Sequence, residues 1–440
     1  MSPIVYRIHT LLEKILANVP VGTNLGLLHL FLTILSGRLL PSRGAIFPAL
    51  QDFGLEPAAV RRAEAAVRCG HFQLDHLVHN WHALVVAEGM LRPHVYEGVR
   101  PVACDLVGFF RPKLSGALGK HYHSQADKAL PAVSVGLIGA VGSVGSQRFA
   151  LPRAIVTQPT LDLSEKALKK RTIARAASLL QAGEAGIFDA GFEPSELLAG
   201  GVTRFVVRAA TNFTARRNYL RAYKGIGAYP KYGEIVRPLA RTYKEREIPA
   251  TACDASARFK VGKRFVKALI FNDLVGSESI PGGRSLRCVV ILDPKYKHPL
   301  VLVTTLSLTA YALWCLYFDR WPIEQIPLSA KQMLGASRTF VFGKASRVRV
   351  PVVSLLAGSV LSYVAASSPV VATGFWDVCA RPTCGRLRRV LSGLHFQDLA
   401  APQGQIRKKE SVTAHLPKGI LGHRRQKAVA DVREPARKAA

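Results

Sequence analysis

"YFDRWPIEQIPLSAKQMLG" occupies residues 317–335, directly after a run, 299–318, that contains no charged residue. Asp319, Arg320, Glu324 and Lys331 then arrive within a few turns, among two prolines. At about 100° per residue on an ideal helix, Tyr317, Arg320, Glu324 and Lys331 fall within an arc of roughly 60°. A solvated helix scatters its charges more widely, so a polar face this narrow marks a candidate site. Working outward, the apolar run reads as a buried strand, "HPLVLVTTL", feeding a helix over 308–335. Pro322 and Pro327 each remove a backbone donor and kink a helix interior. The direction of Lys331 relative to Glu324 therefore depends on them.

The charge-free runs 299–318 and 351–376, and the apolar stretch 15–37, are long enough to span a bilayer. The first of these is rich in Thr and Ser, and the second is broken by Ser, Gly and Pro369. Basic residues flank each run on both sides, which gives no positive-inside asymmetry. All three are read as buried core, and no membrane partner is expected. The N-terminal "MSPIVYRIHTLLEK" interrupts its apolar residues with charges and does not read as a signal peptide.

The chain has 440 residues, with 60 Lys and Arg against 29 Asp and Glu, a net charge of +31. Such an excess repels itself in a compact fold unless a polyanion neutralises it, and nucleic acid is the default partner. Hydrophobic residues make up 49% and charged residues 20%, which excludes a disordered chain. The seven cysteines are scattered and only Cys379 and Cys384 lie close together. No zinc framework is completed, and a reducing cytosol is the expected compartment.

Residues 1–97 read as a helical N-terminal region. "EPAAVRRAEAAVRCG" (56–70) and "QLDHLVHNWHALVVAEGML" (73–91) are its clearest helices. With Arg on its outer face this region suits DNA binding, and a structural helical cap is the alternative. From residue 98 the pattern changes. "VRPVACDLVGFF" reads as a strand, and 130–156 as strands joined by Gly-rich turns. "SEKALKKRTIARAASLLQAG" (164–183) is a helix opened by Ser and closed by Gly. "EAGIFDAGF" and "TRFVVRAATN" are strands with the short helix "PSELLAGG" between them. This order predicts a mixed α/β domain over 98–212. Residues 213–298 read as a β-rich insertion, after which 299–375 resumes the domain. Residues 376–440 form a basic C-terminal tail, expected to be partly disordered and to lie on phosphates.

Tyr-x2-Arg-x3-Glu-x6-Lys, following a strand "LVTTL", resembles the YREK signature of bacterial insertion-sequence DDE transposases. The resemblance covers roughly residues 98–375. It implies an RNase H-like mixed sheet with a β-rich insertion, and an acidic triad whose members map to Asp105 in "PVACDLVGFF", Asp189 in "GIFDAGF" and Glu324. It also implies that Tyr317, Arg320 and Lys331 grip phosphates near the cleaved end. The cofactor implied is a pair of Mg²⁺ ions, with Mn²⁺ as a substitute, held by Asp105, Asp189 and Glu324. In-line cleavage of a phosphodiester suits two hard cations on carboxylate oxygens. The implied partners are transposon-end inverted repeats, target DNA and a second copy of the chain, in the bacterial nucleoid. A catalytically inactive DNA-binding relative is the first alternative, and a basic membrane protein ranks after it.

Weaker signals remain. His76, His79 and His82 recur every three residues, which suits either a metal or a DNA-facing surface. "KHYHS" (120–124) reads as a channel lining or a turn. "GAVGSVGS" lacks the ending of a phosphate loop and reads as a hairpin. Trp314 and Trp321 suit either base stacking or the core, with Trp314 assigned to the core.

Overall fold

The computed structural model describes residues 3–111, 114, 119–158, 163–223, 225–372, 374–399, 401–402 and 404–409. Five helices come first: α1 (Pro3–Ile15), α2 (Thr23–Leu35), α3 (Ile46–Asp52), α4 (Pro57–Cys69) and α5 (Leu74–Glu88). A short strand β1 (Leu91–Pro93) leads into β2 (Arg100–Phe110), β3 (Gly119–His123), β4 (Lys128–Val144) and β5 (Gln147–Thr157). Then follow α6 (Glu165–Leu179), β6 (Glu184–Phe188), α7 (Pro194–Ala199) and β7 (Phe205–Ala209). The result is mixed α/β with one large mixed sheet, as the alternation of strand and helix patterns predicts.

Local chemistry explains the elements. In α6 the Ser164 hydroxyl accepts from the Ala167 N–H, satisfying one of the donors that a helix start leaves free. The run "GAVGSVGS" closes the β4–β5 hairpin, where Gly145 takes a positive φ of 57°. At the centre of the sheet the strands lie in the order β5, β4, β2, β6, β7. Strand β2 is antiparallel to β4 and parallel to β6, and β6 is parallel to β7. The crossovers through α6 and α7 are what parallel pairing requires. Glu184, buried at the start of β6, accepts two short bonds from Arg153 of β5, 2.7 and 2.6 Å. Burial alone would raise this carboxyl, but the Arg153 bonds and the Gln181 N–H outweigh it and hold it below its ordinary value.

Residues 213–298 are β-rich, as expected. They contain β8 (Ala215–Arg217), β9 (Ile235–Val236), β10 (Arg241–Tyr243), β11 (Arg246–Ile248), β12 (Ala255–Val261), β13 (Arg264–Gly276) and β14 (Leu286–Leu292). All but the β10–β11 pair continue the main sheet. Strand β15 (Leu300–Thr304) lies between β14 and β7, antiparallel to both. The β-rich segment is thus stitched to β7 through β14 and β15 by backbone hydrogen bonds.

The helix read over 308–335 is broken. It forms α8 (Ala310–Phe318), α9 (Trp321–Leu328) and a π-helical segment, Ser329–Met333. Pro322 has no N–H and its ring opposes the carbonyl four residues earlier, which ends α8 at Phe318. Pro327 does the same inside α9, and the backbone recovers through the wider π turn. Next come α10 (Lys344–Ser367) and α11 (Cys384–Ser392).

Helix α10 is the one described helix long and apolar enough to cross a membrane, and 83% of that window is buried within the fold. It packs on α1, α2, α4 and α5, on α9, and on β4 and β5, in one continuous core. The Trp81 indole, fully buried, donates to Ser359 Oγ at 3.0 Å across this core. The N-terminal helices therefore share their core with the sheet. The first part of the basic tail is also folded here: Ile406 is buried, and the Asn24 side chain donates to the Gln405 carbonyl at 2.8 Å. The expectation for 410–440 lies outside the described residues.

Opposite faces of β4 carry different helices. A Cβ on Gly136 would meet Thr172 of α6, and one on Gly139 would meet Ile323 of α9. Gly358 is where α10 lies against the α9 backbone, since a Cβ there would stand 2.8 Å from the Ile326 carbonyl and 2.9 Å from the Ala330 nitrogen. Both neighbours are backbone and cannot swing away. Gly358→Val should therefore lower the unfolding free energy by about 1–3 kcal/mol, measured by urea denaturation. An unchanged midpoint would show that α9 yields freely.

Candidate active site

Asp105 lies on β2, and Asp189 follows the last residue of β6. The parallel register pairs Arg100 with Glu184 and Ala103 with Ile187. Extended by two residues, the same register sets Asp105 beside Asp189. Glu324 comes from α9, on the side of the sheet that Gly139 faces. Three acids, the nearest pair 84 residues apart in sequence, are thus brought together by strand pairing and helix packing.

Arg320 links them. Its Nη2 stands 2.6 Å from Glu324 Oε1, and its Nη1 stands 4.0 Å from Asp189 Oδ2. The guanidinium also lies over the Tyr317 ring, 5.8 Å from its centre. The Tyr317 hydroxyl donates a long bond, 3.5 Å, to Asp189 Oδ1. Burial works against the Arg320 charge, yet Asp189, Tyr317, Glu324 and Asp105 together hold its pKa above the ordinary value. Its Nε and Nη1 are buried and make no hydrogen bond, so this fork retains donors to offer.

Asp105 is half-buried, and its Oδ1 accepts from the Leu106 N–H at 2.9 Å. Burial pushes its carboxyl up to about 6; Arg320 opposes this, and Glu324 and Asp189 reinforce it. Desolvation is the main cause, and the neighbouring acids add to it. Asp105, Glu324 and Lys331 line one cleft of about 420 Å³, together with His121, His123 and Gln332. "KHYHS" therefore does line the cleft, and β3 is the strand that brings it there.

Lys331 reaches the cleft from the π segment. Its Nζ donates to the Gly108 carbonyl at 2.7 Å and lies 4.9 Å from the centre of the Phe109 ring. Burial lowers its pKa to about 8, with Asp105 opposing the shift. Of the predicted polar arc, Glu324 and Lys331 line this cleft, while Tyr317 and Arg320 meet at Asp189, and the helix beneath them is not continuous.

The donor set of Asp105, Asp189 and Glu324 is all carboxylate oxygen, the chemistry that Mg²⁺ takes. As the side chains stand, no three His, Cys, Asp or Glu among the described residues lie close enough to hold a metal ion. Arg320 is the cation that balances the three acids. They fit a hard cation by type, and Asp105, Asp189 and Glu324 are the residues that would hold it. The spaced histidines do not form a metal site among the described residues either. His82 is turned toward Arg153 and Glu184, and burial lowers its pKa. Trp314 packs on Phe318, Tyr311 and Phe259, as assigned, whereas Trp321 is exposed.

A second cluster was not anticipated. Asp319, the residue before Arg320, is wholly buried. Its Oδ2 lies 2.7 Å from His94 Nδ1 and 2.8 Å from the Tyr96 hydroxyl. Arg148 stands 3.5 Å from Oδ1. A carboxylate only accepts, so Nδ1 and the Tyr96 hydroxyl donate. His94 Nε2 is in turn 2.7 Å from Ser143 Oγ. The joint between α8 and α9 is thereby tied to β4, to β5 and to the segment after β1. The one signal in the sequence is Asp319 itself, a lone acid ending a charge-free run. Nothing in the sequence points to His94 and Tyr96, more than 200 residues away.

Comparison with known proteins gives no family-model match and no matching curated protein.

Two outcomes follow from these surroundings. Asp319→Ala strands His94, Tyr96 and Arg148, and should cost about 3–5 kcal/mol of stability, read by chemical denaturation. Lys331→Met removes a buried charge. In the pH window between about 8 and 10.5 the unfolded chain holds a proton that folded Lys331 has lost, so native stability rises with pH there. The variant should therefore be more stable by about 1–3 kcal/mol near neutrality, with the gain fading above pH 8. A pH-independent difference would contradict this assignment.

Proposed function

We propose that this chain is a DDE transposase, with an RNase H-like catalytic domain whose acids are Asp105, Asp189 and Glu324. The observation that carries the reading is their meeting around Arg320, from β2, the end of β6 and α9. Support also comes from the order of the central strands, with three antiparallel strands followed by two parallel ones reached through helices. The net charge of +31 favours a polyanionic substrate.

In this reading the reaction is hydrolysis of a phosphodiester at a transposon end, followed by attack of the freed 3′-OH on target DNA. Bound Mg²⁺ ions supply the activation of the attacking oxygen and stabilisation of the leaving one. The protein's own residues do the positioning. Arg320 presents buried, unused N–H donors to phosphate oxygens, and Lys331 adds a point charge at the cleft wall. Tyr317 holds Arg320 by its ring and Asp189 by its hydroxyl. His121 and His123 also line this cleft, beside the path proposed for the DNA strand. The proposed partners are inverted-repeat ends, target DNA and a second copy of the chain, in the bacterial nucleoid.

The test is Mg²⁺-dependent nicking of duplexes built from the DNA that flanks the gene. Glu324→Gln and Asp105→Asn should abolish nicking and leave duplex binding unchanged. A readout independent of turnover is the melting temperature, which Mg²⁺ or Mn²⁺ should raise for the wild type and not for Asp105→Asn. Retained nicking in Glu324→Gln would refute the assignment. Duplex binding with neither nicking nor a metal response would leave an inactive DNA-binding relative.

A further inference from the structure

A cavity lies outside the candidate active site. It has a volume of about 660 Å³ and runs along the outer edge of β5, between α6 and the start of α10. Its charged lining is Arg171, Arg175 and Arg349, against the single acid Asp75. A second cavity of about 370 Å³ adjoins it, sharing Phe72, Gln73 and Arg349, and extends past His71, His76 and Asn80. None of these residues lines the cleft of Asp105 and Glu324.

Helix α6 is the source of much of the charge. Its fifteen residues carry five Lys or Arg and one Glu. Glu165 is engaged by His121, and Lys169 is engaged by Glu196. Arg171 and Arg175, one turn apart and exposed, make no side-chain hydrogen bond or ion pair among the described residues. Arg349 comes from the opposite wall. Its guanidinium lies 4.5 Å from the centre of the Phe72 ring and donates to the Val67 carbonyl at 3.0 Å, with no carboxylate beside it. Three guanidinium groups thus face one trench whose lining holds one acid, Asp75.

We propose that this trench binds the sugar–phosphate backbone of duplex DNA, independently of sequence, at a site separate from the cleavage cleft. The proposal rests on the reading of DNA as the substrate and adds a second point of contact. Arg forks suit phosphate oxygens, and a polyanion is what removes the mutual repulsion of the three charges. An acidic peptide added as a strand on β5 is the rival occupant. Its disadvantage is that Ala154, Ile155 and Val156 are only 5%, 2% and 6% exposed, so the edge is already covered. Single-stranded nucleic acid needs open aromatic faces to stack on, and the ring of Phe72 is taken by Arg349.

The test uses the full-length protein and fluorescence anisotropy with a random-sequence duplex across a salt series. Arg171→Ala with Arg175→Ala should weaken binding and lower the slope of log K against log salt by about 2, near 0.9 per lost phosphate contact. Arg171→Lys with Arg175→Lys keeps the charge and should restore the slope. The Glu324→Gln variant should retain the full slope, which separates this site from the cleavage reading. If the wild type never nicks but the arginine dependence persists, the trench stands and the enzymatic reading falls. An unchanged slope in the double Ala variant would overturn the proposal. So would an equal loss of single-stranded DNA binding, or a loss confined to poly-glutamate.

Discussion

Three carboxylates and one guanidinium form the centre on which the rest of the structure depends. Asp105, Asp189 and Glu324 come from three different elements, and in a low-dielectric setting their charges oppose one another. Arg320 is what allows them to meet. Its pKa is held up by the acids despite burial. The raised pKa of Asp105 comes first from its own burial, with Arg320 opposing and Glu324 and Asp189 adding to it. Lys331, in the same cleft, is a second cation beside Asp105.

Holding Arg320 in place requires the break between α8 and α9. Pro322 prevents a continuous helix, and the chain turns at Asp319. The buried carboxylate of Asp319 then fastens the turn to His94, Tyr96 and Arg148. From the other side, α10 supports α9 closely enough that only Gly fits at residue 358. The helix carrying Glu324 is therefore clamped between a polar network at its start and a tight apolar contact at its end.

Much of this was legible in the residues. The alternation of strands with helices gave the mixed α/β class, and two residues of the polar arc, Glu324 and Lys331, line the cleft. Periodicity succeeded there because those side chains are separated by a few turns. It failed on the shape of the helix, because a proline's effect on later residues depends on how the backbone recovers. A π turn after Pro327 returns Lys331 to the site, and no spacing rule predicts that. The Asp319 network was illegible for a different reason. Its partners are joined by strand pairing and packing, and each alone is an ordinary His, Tyr or Arg.

The distribution of positive charge carries the argument further. A net charge of +31 is often treated as a property of a surface as a whole, yet here its parts do different things. Arg153, Arg217 and Arg264 are committed to carboxylates through paired short bonds. Arg320 is committed to the acids of the cleft. Arg171, Arg175 and Arg349 have no such partners and line the same trench. A cation paired at 2.6–2.8 Å contributes little to binding an outside polyanion, because its acid partner must first be displaced. Unpaired guanidinium groups bear no such cost. Within the trench, the proposed contact with phosphate therefore falls to Arg171, Arg175 and Arg349.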